Sequence, residues 1–342
     1  MIQTISRASL TLWLDALTRD YTVIAPRRVE NLVLYKPISS AEEVVYDFGR
    51  TGLSAKEHFL PMMQSIVNIH KGQNGLILEV PRLGRSQVIF GLRPCDARAL
   101  RVLDAVMLSE PADAYYGERR KNTVTVGIAC KEPQEGCFCT SMGGAPDDEK
   151  DLDILLVEMN DGYAVKAVTD GGRALLAGAS LSEADAPPPV SKAPEALQLP
   201  TLETWQGRFN EAYWARLSDR CLGCRLCAYV CPTCYCFDVR DYAENSSEIK
   251  RLRCWDSCQA SGCYRLAGGH NPRPTKRERL RQRFFHKLVY YGQRFQVDLC
   301  VGCGRCVVQC PANIDIREII ADVARSAAEK PFLPQSPLRA QK

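Results

Sequence analysis

The chain has 342 residues, more than one hydrophobic core usually serves, so two or three domains are expected. Hydrophobic residues at 46% and charged residues at 25% match a soluble globular protein and set aside wholesale disorder. With 44 basic against 40 acidic side chains the formal charge is only +4, too little for a nucleic-acid-binding field, and no apolar run reaches the roughly 18 to 20 residues that cross a bilayer.

The opening segment, MIQTISRASLTLWLDALTRDYTVI, reads as a short amphipathic helix, because Arg7, Asp15 and Arg19 interrupt its apolar positions and no signal-peptide core or cleavage site is present. A cytoplasmic protein without direct membrane insertion is expected. Residues 1–180 read as an α/β domain: Leu76 to Val80, Val88 to Leu92, Val124 to Ala129 and Ile154 to Val157 look like buried strands, and Ala97 to Met107 has helical spacing. A sheet at least partly parallel, with helices against it, follows. Cys95 and Cys130 each come just after a predicted strand, and Cys137 and Cys139 follow shortly. Ligands gather at the carboxyl ends of strands in open α/β sheets, so these four thiols fit a third 4Fe-4S cluster. The competing reading is that they are small buried hydrophobes.

Residues 181–204 hold five prolines and few large apolar groups, which suits a linker or extended strap. Beyond it, in 205–330, six cysteines fall within the sixteen residues from Cys221 to Cys236, and a second run begins at Cys300. Seventeen cysteines in a reduced compartment argue for metal ligation over disulfides. Each run reads C-x2-C-x2-C-x3-C-P, the grammar of bacterial ferredoxins, in which the fourth cysteine ligates the other cluster. One 4Fe-4S cluster is therefore assigned to Cys221, Cys224, Cys227 and Cys310, and another to Cys300, Cys303, Cys306 and Cys231. Structural zinc also takes four thiolates, but its sites usually use two hooks of two ligands, not three plus one. The residues from 232 to 299 are too many for a compact βαββαβ ferredoxin, and with the helical stretch RERLRQRFFHKLVYY they favour an α-helical ferredoxin-like domain. That basic helix reads first as a solvated face and second as a docking surface for an acidic partner. Residues 331–342 read as a flexible tail.

Cys234, Cys236, Cys254, Cys258 and Cys263 have no spacing that assigns them; they could add a metal site, line a path between clusters, or fill space. No GxGxxG follows a strand, and there is no P-loop or HExxH, while His58, His70, His270 and His286 form no ligand pair. The chain shows electron carriers without an organic cofactor site of its own.

GLRPCDARAL, CKEPQEGCFCTSMG, CLGCRLCAYVCPTCYCFD, CWDSC, GHNPRPTKRERLRQRFFHK, CVGCGRCVVQCP and IDIREI, in that order, resemble the 4Fe-4S dicluster family shared by the β chains of cytoplasmic sulfhydrogenases and the corresponding iron–sulfur chains of anaerobic sulfite reductases. The likeness spans about residues 30 to 320, and Cys254 and Cys263 fall outside its pattern. It implies a non-catalytic iron–sulfur subunit of a hetero-oligomer, relaying electrons between a flavin subunit that uses NAD(P)H and a catalytic subunit of hydrogenase, sulfur or sulfite reductase type. It also strengthens the third cluster. The alternatives are a reductase subunit binding substrate or flavin in its N-terminal domain, and a redox-sensing scaffold.

Overall fold

The structure, a computed structural model, describes residues 2–73, 75–185 and 191–325. The predicted tail at 331–342 and the linker prolines at 187–189 lie outside the described residues.

Eight strands make the main sheet: β1 (Ile2–Ser6), β2 (Thr22–Val29), β3 (Leu32–Pro37), β6 (Gln87–Leu92), β7 (Thr123–Ile128), β8 (Ile154–Met159), β9 (Gly162–Ala167) and β10 (Ser182–Ala184). Their spatial order is β10-β1-β9-β8-β7-β6-β2-β3, and the central run β2, β6, β7, β8 is parallel. Apolar side chains of the parallel strands alternate between two cores, as they must when both faces are covered. Val88 and Phe90 pack with Trp13 and Leu14 on one side, while Ile89 and Leu92 pack with Leu100 and Leu103 on the other. The helices doing this are α1 (Arg7–Asp20), capped by Ser6, and α2 (Pro94–Met107), which starts with proline at its first position. The shorter α3 (Ala114–Lys121) and α4 (Asp170–Leu176) complete this region.

A bulge between Phe90 and Leu92 ends β6. Gly91 there has φ +79°, and an added Cβ would stand 2.8 Å from the Pro26 ring, so only glycine fits. The bulge delivers Cys95 into the first turn of α2 at the carboxyl edge of the sheet.

Four more strands form a second, antiparallel sheet in the order β11-β12-β4-β5: β4 (Met63–Gly72), β5 (Gly75–Glu79), β11 (Phe237–Ala243) and β12 (Glu248–Trp255). Strands from both ends of the sequence are thus laced together. Two expectations need correction here. The run Leu76 to Val80 is a strand but not a buried one: β5 pairs only with β4, and Leu76, Ile77 and Leu78 are 60–67% exposed. The cysteine-rich half is not helical throughout, since a hairpin interrupts it.

Around that hairpin lie α5 (Leu202–Gly207), α6 (Tyr213–Arg220), α7 (Leu226–Tyr229), α8 (Lys276–Phe285), α9 (Tyr291–Phe295), α10 (Arg305–Val308) and α11 (Ile316–Ala324). A Thr275/Glu278 capping box starts α8, and a π-helical turn at His286–Tyr290 joins it to α9. Trp205, Trp214, Phe284, Phe285, Ile319 and Ile320 form the core of this region, and Phe138 and Met142 from the N-terminal half insert into it. Among the described residues no helix is long and apolar enough to cross a membrane.

Candidate metal centres

The repeat seen in the sequence is also a repeat of the backbone. In the first run Gly223 and Arg225 have φ of +70° and +69°; at the matching positions of the second run Gly302 and Gly304 have +65° and +72°. In both runs a single helical turn follows, α7 and α10, carrying the third cysteine, Cys227 or Cys306. Two left-handed residues fold the first three cysteines of each run onto one concave side.

Cys221, Cys224, Cys227 and Cys310 line one cavity, together with Arg283, Phe284 and Pro311. Two further thiols there, Cys310 and Cys306, come from the other run. Cys300, Cys303, Cys306 and Cys231 lie within electrostatic reach of one another, the arrangement that reciprocal ligation would need. Thr233 fixes the Cys231 end, its hydroxyl 3.3 Å from the Cys231 Sγ and donating to the Leu299 carbonyl at 2.6 Å.

Cys95, Cys130, Cys137 and Cys139 line a third cavity, with Cys303 at its wall. The loop bearing Cys137 and Cys139 is pressed onto the second run. Phe138 N–H donates to the Gly302 carbonyl at 2.8 Å, and a Cβ on Gly302 would meet the Phe138 carbonyl oxygen at 2.5 Å. Arg50 clamps the same contact, donating to the Cys303 carbonyl at 2.5 Å and to Cys137 Sγ at 3.6 Å.

Around these thiols the charge is unusual. Arg279, Arg283 and Lys287 follow one another at helical intervals of four on the buried side of α8 and the π turn, and Arg283 and Lys287 are each 3% exposed. This corrects the expectation that the basic helix is simply a solvated face. Lys287 Nζ donates to Cys231 Sγ and Thr233 Oγ1, both at 3.1 Å. Arg283 donates to the Cys227 carbonyl at 2.7 Å and to Cys234 Sγ at 3.6 Å. Lys56, also 3% exposed, donates to the Cys234 carbonyl at 2.8 Å and sits 3.9 Å from the centre of the Trp255 ring. Among the described residues none of Lys56, Arg283 and Lys287 has a carboxylate in ion-pair contact.

Buried charge without a counter-charge costs several kcal/mol per ion, of order 3 to 5 once a partner is lost. Burial also pushes the free thiols up, Cys227 and Cys139 to about 11 and Cys300 to about 12, so unmetallated they are neutral and cannot balance those cations. Cys231 is the exception, held well below the usual thiol value by hydrogen bonding from Cys234, with Lys287 and Arg283 adding to the effect. Burial lowers Lys56 to about 8 against the opposing pull of Cys234 and Cys231. Four thiolates on an iron cubane are net negative, and such a group supplies the counter-charge that Arg283 lacks and adds to the one Lys287 finds in Cys231. The residues present therefore fit it. Among the described residues no three His, Cys, Asp or Glu side chains converge as they would around a single ion.

Sequence reasoning missed these cations, although the spacing of Arg279, Arg283 and Lys287 was a usable signal. Two of the histidines have structural roles: His58 Nε2 contacts the Tyr35 carbonyl at 3.0 Å, and His286 Nε2 contacts the Tyr235 hydroxyl at 3.3 Å. Cys254 lies in the β12 ladder opposite Asp238 and Met63. A further cavity of about 690 Å³ lies at the carboxyl edge of β7, lined by Arg7, Tyr46, Phe48, Arg93, Lys131 and Tyr163 among others, and it shares Cys130 with the third thiol cavity.

Two comparisons bear on these centres. The 4Fe-4S dicluster domain family matches residues 220–314. The chain is 34% identical over 320 residues to the sulfhydrogenase 2 subunit beta of Pyrococcus furiosus, an alignment covering 88% of this chain and 92% of that one. No solved structure matches the chain.

Proposed function

The chain belongs to the family of 4Fe-4S dicluster subunits that includes a sulfhydrogenase β subunit, and from that premise we propose that it relays electrons between a flavin subunit using NAD(P)H and a catalytic subunit of hydrogenase, sulfur or sulfite reductase type. As an iron–sulfur electron-transfer subunit, it has no catalytic residues of its own in this reading. One cluster is held by Cys221, Cys224, Cys227 and Cys310, a second by Cys300, Cys303, Cys306 and Cys231, and a third by Cys95, Cys130, Cys137 and Cys139. We read 205–330 as an α-helical ferredoxin-like domain carrying an inserted hairpin, with 1–180 as the α/β domain and 181–204 joining the two.

When bound, the clusters accept and release single electrons. The chain's own residues hold them, exclude water and set their charge environment. Phe284 and Leu280 wall the first cavity, and Lys287, Thr233 and Leu299 close around Cys231. Arg50 and the Phe138–Gly302 contact hold the third set against the second. The observation that carries the reading is the buried Arg283 guanidinium facing Cys227 and Cys234, with no carboxylate in contact among the described residues. Both thiols are pushed up, Cys227 by burial and Cys234 by its hydrogen bond with Cys231 and by burial. Such cations are costly unless an anionic group occupies the space between the thiols.

The test is anaerobic purification with native partners, followed by iron, sulfide and zinc analysis and an EPR redox titration. The reading expects equal iron and sulfide, about twelve of each for the three assigned clusters at four per cubane. A chain holding zinc and no labile sulfide overturns it; about eight of each removes the third cluster alone.

One observation favours a second reading. The 690 Å³ cavity beside Cys130 has aromatic walls and mixed charge, with Arg7 and Lys131 both paired to Glu158, and substrate or flavin bound there in the N-terminal domain would sit next to the third thiol set. A flavin retained by the single chain through gel filtration would establish it.

A further inference from the structure

Of the seventeen cysteines only Cys224 is exposed, whereas Cys231 and Cys303 of the second quartet are buried. The first quartet therefore has an open edge. It lies in the stretch from Leu222 to Leu226, which carries the left-handed residues Gly223 and Arg225 and runs into α7. Leu222, Arg225 and Leu226 line the thiol cavity together with Cys221, Cys224 and Cys227. Leu222 and Leu226 are also 69% and 39% exposed, so two apolar side chains stand in water beside the exposed thiol.

Cations surround this opening. Arg225 is exposed, and Lys276, exposed at the start of α8, donates to the Cys221 carbonyl at 3.1 Å. Arg220, in the last turn of α6, donates to the Ala312 and Asn313 carbonyls at 3.3 and 3.0 Å, and Ala312 lines the same cavity. These carbonyls satisfy the donors without cancelling their charge. No carboxylate lines the cavity, and Glu278 of α8 is taken up by the Thr275 capping box. Among the described residues Arg220, Arg225 and Lys276 form no ion pair.

A thinly apolar centre inside a rim of unpaired cations suits a brief encounter with an acidic surface, because the charges steer the approach and the leucines exclude water at the contact. Resident subunits bury broader and more apolar surfaces. This chain has such a surface elsewhere, at β5, where Leu76, Ile77, Leu78 and the following Val80 are 60–67% exposed.

We propose that Leu222, Cys224, Arg225 and Leu226, with Arg220 and Lys276 at the rim, form the docking site of a diffusing acidic iron–sulfur carrier protein, through which electrons enter the first cluster independently of NAD(P)H. In each encounter one electron leaves the carrier's reduced cluster, which is oxidised, and enters this chain's first cluster, which is reduced. No bond forms and no proton moves. The proposal rests on the iron–sulfur reading above for that cluster.

The test is stopped-flow reduction of the anaerobic, iron-loaded complex by a reduced acidic 2[4Fe-4S] ferredoxin, over a range of salt concentrations. The rate should fall steadily as salt rises, since exposed charges are screened. Arg225→Gln with Lys276→Gln should slow it roughly tenfold at low salt, while Arg173→Gln, exposed on α4, should leave it unchanged. Reduction by NAD(P)H should be the same in every variant. If the double variant loses iron, Lys276→Gln alone decides. A rate indifferent to salt, or equal in the variants and the unaltered complex, overturns the proposal. So does loss of NAD(P)H-driven reduction in the iron-loaded variants, or protection of Lys276 from an amine reagent in the intact complex, either of which gives this face to a resident subunit. An unaltered complex devoid of iron would instead overturn the iron–sulfur reading itself, which keeps the two failures apart.

Discussion

Arg305 Nη1 and Nη2 lie 2.7 and 2.8 Å from the two carboxylate oxygens of Asp96, and both side chains are closed to solvent. Thr51 completes the guanidinium's bonding through its carbonyl at 3.1 Å and its hydroxyl at 2.9 Å. Asp96 follows Cys95 in the first turn of α2, and Arg305 stands between Cys303 and Cys306. The pair therefore bolts the sheet-borne thiol set to the second ferredoxin-type run. Asp96→Ala, which strands the buried guanidinium, should cost about 3 to 5 kcal/mol and lower the thermal midpoint of the cluster-loaded protein. Replacing both partners, Asp96→Leu with Arg305→Met, should cost much less. Equal losses in the single and double variants would show that the pair is not what joins the two regions.

Lys287 presents its charge to Cys231 at 3.1 Å. A nearby cation favours the reduced, more negative form of a cluster, so Lys287→Met should lower the midpoint potential of the cluster proposed for Cys300, Cys303, Cys306 and Cys231. A unit charge about 4 Å away acts with ~4 kcal/mol at an effective dielectric near 20, and about 1.4 kcal/mol corresponds to ~59 mV for one electron. A drop on the order of 100 mV is expected in an EPR-monitored titration. A potential unchanged or raised would contradict the assigned neighbourhood.

Crossed ligation makes a prediction that sequence proximity would reverse. Cys231→Ala should disturb the cluster of the second run while the signal of the first run, supported by Cys310, stays intact. EPR spectra of the two single variants, Cys231→Ala and Cys310→Ala, read this directly. Loss of the first-run signal in Cys231→Ala would mean that each run closes on itself.

Gly223 and Gly302 hold the same left-handed position in the two runs, yet their surroundings differ. A side chain on Gly223 meets nothing within 4 Å, whereas one on Gly302 collides with the backbone of Phe138 and Cys139. Gly223→Ala should cost only the conformational penalty of about 1 to 2 kcal/mol. Gly302→Ala adds an overpacking term of roughly 1 to 3 kcal/mol and should weaken the signal assigned to Cys95, Cys130, Cys137 and Cys139. The comparison needs only unfolding curves and EPR intensities; equal behaviour of the two variants would deny the contact.

The parallel strands were legible because their apolar runs are continuous, as burial on both faces requires, and the twin runs were legible because ligand spacing is written locally. The β5 segment was misread for the same reason the others were read well: LILEV is as apolar as a core strand, and composition does not tell a sheet edge from its centre. The inward turn of Arg283 and Lys287 escaped because a cation-rich helix normally faces water; only the position of distant cysteines reveals what those side chains face.

The central claim is that electrons pass through this chain's clusters on their way between partner subunits. Freeze-quench EPR of the anaerobic complex mixed with NAD(P)H and acceptor tests it most directly. Reduced-cluster signals of this chain should rise before acceptor reduction, at rates that account for turnover, and the Cys231→Ala complex should slow both together. Turnover proceeding at full rate while those clusters remain oxidised and unresponsive would contradict the account.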